Sequence, residues 1–111
     1  MIEADDLVTL VRAYNPNADF AKIEAAYAYG KRMHEGQLRH SGEPYFTHPV
    51  AVAALLTEQR LDDASIITGL LHDTLEDTRS TYAELSDAFG KDVAELVNGV
   101  TNRTNLQLNS N

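Results

Sequence analysis

Apolar residues recur at three- and four-residue spacings along most of this chain, and no segment alternates for long enough to argue for a strand. The pattern predicts a series of short helices. Asp5 or Asp6 caps a first helix through about Tyr14, ended by Asn15-Pro16-Asn17. Phe20, Ile23, Ala26, Tyr27, Gly30 and Met33 share one face of a second, amphipathic helix reaching about Glu35. Periodicity then stops from Gly36 to Phe46, where Gly42 and Pro44 mark a loop. Thr47 is placed to N-cap a third helix, with Pro49 in its first turn and an end near Gln59. Asp62 or Asp63 caps a fourth, which carries His72 and the residues after it. Thr81-Tyr82-Ala83-Glu84 has the form of a capping box and opens a fifth helix closed by Gly90. A sixth runs from Lys91 to about Asn98 with Val93, Leu96 and Val97 inward. The fold class is therefore all-α, a bundle of about six helices over residues 1–101, followed by a polar tail over 102–111 that lacks a cap or a clear period.

Length and composition bound what such a bundle can do. At 111 residues it is one domain, large enough for a core without staples. It has no cysteine, which removes disulfides, thiolate metal sites and cysteine nucleophiles. The start Met1-Ile2-Glu3-Ala4-Asp5-Asp6 is acidic and lacks a signal-peptide pattern, and no window approaches a membrane span, so the expected location is the cytoplasm. A net charge of −8 argues against a nucleic-acid backbone as partner, because phosphate contacts need clustered Lys and Arg. An anionic small molecule remains compatible where a cation or a few basic residues offset the repulsion.

One stretch carries chemistry: His72-Asp73-Thr74-Leu75-Glu76-Asp77-Thr78. On a continuous helix at roughly 100° per residue, His72, Glu76, Asp73 and Asp77 span an arc of about 140°, while Ile67, Leu70, Leu71, Thr74 and Leu75 turn to the core. An oily face opposite an imidazole and three carboxylates reads as the wall of a metal site. His72 and Asp73 can reach one ion from a single element, but further ligands must come from elsewhere. His48, at the start of the third helix, is the best-placed candidate. Glu76 and Asp77 are either an exposed acidic helix end or a general acid/base pair beside the ion. His34, between Arg32 and Glu35, reads as a solvated surface residue, and His40 lies in the loop with Arg39 and Ser41.

Arg39-His40-Ser41-Gly42-Glu43-Pro44-Tyr45 leading into His48-Pro49, then the His72–Thr78 stretch, then Phe89-Gly90 and Val97-Asn98-Gly99-Val100-Thr101, resemble the hydrolase domain of the bacterial Rel/SpoT family over nearly the whole chain. The resemblance implies an HD-type helical metal phosphohydrolase acting on the alarmone (p)ppGpp. It implies that His48, His72 and Asp73 bind Mn2+, that Glu76 and Asp77 position and activate the water attacking the 3′ phosphorus, and that pyrophosphate leaves. Arg39 would pack on the guanine, with His40 and Ser41 lining the nucleotide pocket; a planar guanidinium suits such stacking.

The chain also departs from the family pattern. The family's fourth metal ligand is an aspartate on a later helix, and the only aspartates after the motif are Asp87 and Asp92. The usual Val-Thr-Lys-Leu is Val100-Thr101-Asn102-Arg103 here, and Asn98 replaces an aspartate. The expectation is the N-terminal portion of a hydrolase domain, with three ligands, low or no turnover, and exposed apolar faces covered by self-association into a homo-oligomer. A non-catalytic nucleotide-binding or regulatory module derived from the same family is the alternative.

Overall fold

The computed structural model describes residues 1–109, and all regular structure in it is helical. The helices are α1 (Ala4–Arg12), α2 (Phe20–Met33), α3 (Thr47–Glu58), α4 (Asp63–Leu71), α5 (Thr74–Asp77), α6 (Tyr82–Phe89) and α7 (Lys91–Asn109). Among the described residues the only β feature is an isolated antiparallel bridge, Leu38 to Pro44, inside the loop before α3.

α4 sits at the centre because its sequence is apolar on nearly every side: Ile66, Ile67, Leu70 and Leu71 are all buried. It packs on α2, α3 and α7, while α1 closes over α2 and α3, and α6 packs on α7. Leu7, Val11, Ile23, Ala53, Leu85, Val93 and Val97 complete one continuous core. Two glycines set how closely α4 approaches its neighbours. A Cβ on Gly69 would lie 3.5 Å from the Ala53 Cα of α3, and one on Gly30 would lie 3.2 Å from the Leu70 carbonyl and 2.5 Å from the Phe46 ring. Gly30→Ala is therefore expected to destabilise by about 2 kcal/mol through overpacking, despite the ~1 kcal/mol that alanine gains in a helix interior. Thermal melts check it, and an unchanged or raised Tm would contradict the close approach.

Caps follow the predicted chemistry with local corrections. Asp62 accepts from the Ser65 N–H (2.9 Å) and Thr81 from the Glu84 N–H (3.2 Å), as their spacings imply. α1 is instead capped by Glu3, whose own N–H donates to Asp6. Thr47 does not cap α3: Phe46 takes the cap position and the Thr47 hydroxyl donates to the Pro44 carbonyl (2.9 Å), holding the loop end. The Ser65 hydrogen bonds hold the Asp62 carboxyl below its usual value, with partial burial opposing. A depressed folded-state pKa contributes stability above the unfolded carboxylate pKa, and this is lost as pH falls through the folded one. Asp62→Ala is expected to cost about 1 kcal/mol at neutral pH. Its gap from the wild type in urea melts should close in that acidic window.

Two larger differences bear on function. The fourth helix does not run through the His72–Asp77 stretch: α4 ends at Leu71, His72 and Asp73 form a turn, and α5 resumes at Thr74. His72 Nδ1 donates to the Gly69 carbonyl (2.7 Å) and the Thr74 hydroxyl to the Leu71 carbonyl (2.8 Å). These side chains compete for the carbonyls that a continuing helix would offer to the N–H groups of Asp73 and Leu75. Near the other end, α7 continues as helix to Asn109 where the pattern predicts an end near Asn98 and a tail from residue 102. The chain there holds no proline, and Thr101 keeps its hydroxyl on the Val97 carbonyl (3.0 Å) within the helical turn. Ser110 and Asn111 of that tail lie outside the described residues.

Candidate metal centre

The short turn between α3 and α4 makes them an antiparallel pair, so the start of α3 meets the end of α4. This puts His48, from the first turn of α3, against His72 at the end of α4, with ring centroids 5.5 Å apart. Asp73 follows in the turn. Its Oδ2 lies 3.2 Å from His72 Nε2 and 3.8 Å from His48 Nε2. One donor atom from each of His48, His72 and Asp73 lies within 4.8 Å of the others.

The donor set fits a divalent ion. Two ligand atoms bound at ordinary metal distances stand about 3 to 3.5 Å apart, close to the spacing here. The tautomer points the same way. Because His72 Nδ1 gives its proton to a carbonyl, its Nε2 lone pair faces the carboxylate of Asp73. Two lone pairs facing each other at that range repel unless a cation or a proton lies between them. A cation satisfies both and His48 as well; a proton satisfies one pair. Burial holds the His48 imidazole below its usual pKa, with His72 and Arg39 pushing the same way and Asp73 opposing, which favours the neutral, ligating form.

Asp77 joins this cluster through Tyr45, a residue whose place in the sequence pattern gives it no role. The Tyr45 hydroxyl lies 2.9 Å from Asp73 Oδ2 and 3.2 Å from Asp77 Oδ2. Burial first, then the hydrogen bonds and charges of the two aspartates, push the phenol pKa well above its usual value, so Tyr45 is a donor. Glu76 is exposed on α5 and makes none of these bonds among the described residues. Asp87 and Asp92 are exposed on α6 and α7 and lie outside the cluster, so among the described residues three, not four, come together.

Arg39, His40 and Ser41 sit at the tip of the bridged loop and line, with Leu38 and Tyr45, an open cleft of about 600 Å³. The loop is held by Arg39 N–H to Glu43 O (2.8 Å) and Tyr45 N–H to Gln37 O (2.8 Å). Tyr45 thus belongs both to the cleft and to the aspartate pair, which places the cleft beside the candidate ion site.

His34 is not a surface residue. It is 2% exposed, its ring lies 4.9 Å from that of Tyr45 at 32°, and it stacks on Phe46 at 6.2 Å. Nδ1 bonds Gln37 Oε1 (3.0 Å), and the Gln37 amide donates to the Asp77 carbonyl (2.7 Å). The signal was present in the spacing: Tyr27, Gly30 and His34 continue the buried face of α2 by one more turn.

A profile of the HD domain family matches residues 26–110. Similar proteins include a GTP pyrophosphokinase of Myxococcus xanthus, 56% identical over 91 residues, covering 82% of this chain and 12% of that protein. The bifunctional (p)ppGpp synthase/hydrolase SpoT of Escherichia coli K12 is 46% identical over 103 residues, covering 93% of this chain and 15% of the relative. The GTP pyrophosphokinase rsh of Brucella melitensis is 44% identical over 108 residues, 97% of this chain and 14% of the relative. The chain spans about an eighth to a seventh of the length of the curated relatives it matches.

Proposed function

The chain belongs to the HD-domain family, with Rel/SpoT relatives over most of its length, and from that premise we propose that it is a (p)ppGpp 3′-pyrophosphohydrolase domain dependent on Mn2+. The convergence of His48, His72 and Asp73 donor atoms within 4.8 Å, beside the Arg39 cleft, is the observation that carries this reading. Several relatives bear kinase names that describe whole proteins; a site of two imidazoles with neighbouring carboxylates supports hydrolysis by water instead. An all-N/O donor set is compatible with Mn2+.

In this mechanism His48, His72 and Asp73 would hold the ion, which when bound would supply Lewis acidity and compensate developing negative charge. Arg39 packs its guanidinium on the guanine, and His40 and Ser41 line the nucleotide cleft, bringing the 3′ diphosphate toward the cluster. Asp77 accepts the proton of the attacking water and Glu76 helps to orient that water. The water oxygen bonds the 3′ phosphorus, the bond to the ribose 3′ oxygen breaks, and that oxygen takes the proton Asp77 had accepted, leaving as the 3′ hydroxyl with pyrophosphate as the other product.

Incubation with ppGpp and Mn2+, followed by phosphorus NMR, tests the assignment. Pyrophosphate should appear only with the ion present; binding of ppGpp without cleavage would favour the non-catalytic module. Arg39→Ala should raise KM about tenfold with little change in kcat, since a stacked guanidinium contributes about 1 to 2 kcal/mol of ground-state binding. Exposed Leu55 and Leu96 support self-association. Light scattering at micromolar concentration should give more than the monomer mass, and a clean monomer would reject it.

A further inference from the structure

We infer that Tyr45 is a positioning residue that locks Asp77 to the metal ligand Asp73, and that His34 and Gln37 form its buttress. The inference rests on the metal-site reading and extends it to Tyr45, His34 and Gln37. Tyr45 touches the one carboxylate oxygen of Asp73 that also faces both imidazoles, and from there it reaches Asp77 Oδ2 at 3.2 Å. Among the described residues it is the side chain that ties the Asp77 carboxylate to the cluster.

The phenol is itself fixed from behind. Its ring lies against His34, 4.9 Å between centroids, and His34 is buried. His34 bonds Gln37 at 3.0 Å, and Gln37 donates to the Asp77 main-chain carbonyl at 2.7 Å. The contacts close a ring: Asp77 carbonyl, Gln37, His34, Tyr45, Asp77 carboxylate. Both ends of Asp77 are therefore held by the segment that leads from α2 into α3. A carboxylate on the last residue of a one-turn helix, exposed to water, would otherwise sample several rotamers. A hydrogen bond from a phenol to a ligand carboxylate also orients that ligand, an outer-shell role whose loss typically costs about 10- to 100-fold in metal affinity or activity.

Tyr45→Phe isolates the hydroxyl, because the ring that packs on His34 stays. It is measured beside the wild type and an exposed control, Tyr82→Phe, for Mn2+ affinity by calorimetry without nucleotide, for kcat and KM on ppGpp, and for Tm. The expected result is a fall of about 10- to 100-fold in kcat, with KM changed less than about threefold. Mn2+ binding should weaken measurably, while Tm and the control are unchanged. A rise in KM alone would make Tyr45 a substrate contact and overturn the inference, as would a variant matching the wild type in both kcat and Mn2+ affinity. A wild-type chain that takes up no Mn2+ and cleaves nothing would sink the hydrolase reading and this inference together. A wild type that binds and turns over beside an unaffected Tyr45→Phe would sink only the inference.

Discussion

His72→Ala should abolish Mn2+ uptake and, with it, pyrophosphate release. The substitution removes the Nε2 donor 3.2 Å from Asp73 and leaves His48 and Asp73 3.8 Å apart as two ligands. Outer-shell losses already cost about 10- to 100-fold in affinity, so loss of a direct ligand should exceed that range. Stability supplies a second readout. An ion present at about 100 times its Kd stabilises the folded chain by about 2.7 kcal/mol. The wild type should therefore melt several degrees higher with excess Mn2+, and His72→Ala should show no such gain. The metal-free variant should lose only the bond to the Gly69 carbonyl, about 1 kcal/mol. Equal Mn2+-induced Tm shifts in both proteins would remove His72 from the site.

Asp77→Asn is the complementary case, in which chemistry fails and the ion stays. The amide keeps the shape of the carboxylate and can still accept from Tyr45, but it cannot take a proton from water. General-base catalysis contributes about 10²- to 10⁴-fold, so kcat should fall by that order while Mn2+ affinity changes little. Glu76→Gln should cost less, because among the described residues Glu76 makes no bond to the cluster, whereas Asp77 is tied to it through Tyr45. The pair of results separates holding the ion from using it: His72→Ala loses both, Asp77→Asn only the second. If Asp77→Asn retained full turnover, the proton acceptor would have to be sought elsewhere, with Glu76 next.

Much of the molecule can be read along the chain. Helical periodicity locates most helices; Thr81 forms its expected bond with the Glu84 N–H, and of the two candidates Asp62 and Asp63 it is Asp62 that caps α4. His48, His72 and Asp73 stand out in the sequence because His-Asp beside further carboxylates is costly without a cation, and the fold brings all three together. A continuous helix through His72 assumed that backbone hydrogen bonding wins, yet the His72 imidazole and Thr74 hydroxyl take carbonyls at the turn. The charged neighbours Arg32 and Glu35 make His34 read as solvated, while its place just past the end of α2 faces inward.

Sequence alone determined the helical class, the candidate donor residues and the family resemblance, since all three depend on residue type and on spacings within a turn or two. Only tertiary structure decided the meeting of His48 with His72 and the bridge from Tyr45 to Asp77. That bridge joins residues 32 positions apart. It exists because Gly69 lets α3 and α4 pack closely and Gly30 leaves room for Phe46 beneath the loop. Spacing along a chain reports which neighbours share a face, whereas the distance between a phenol and a carboxylate on different elements is set by how closely their backbones can approach.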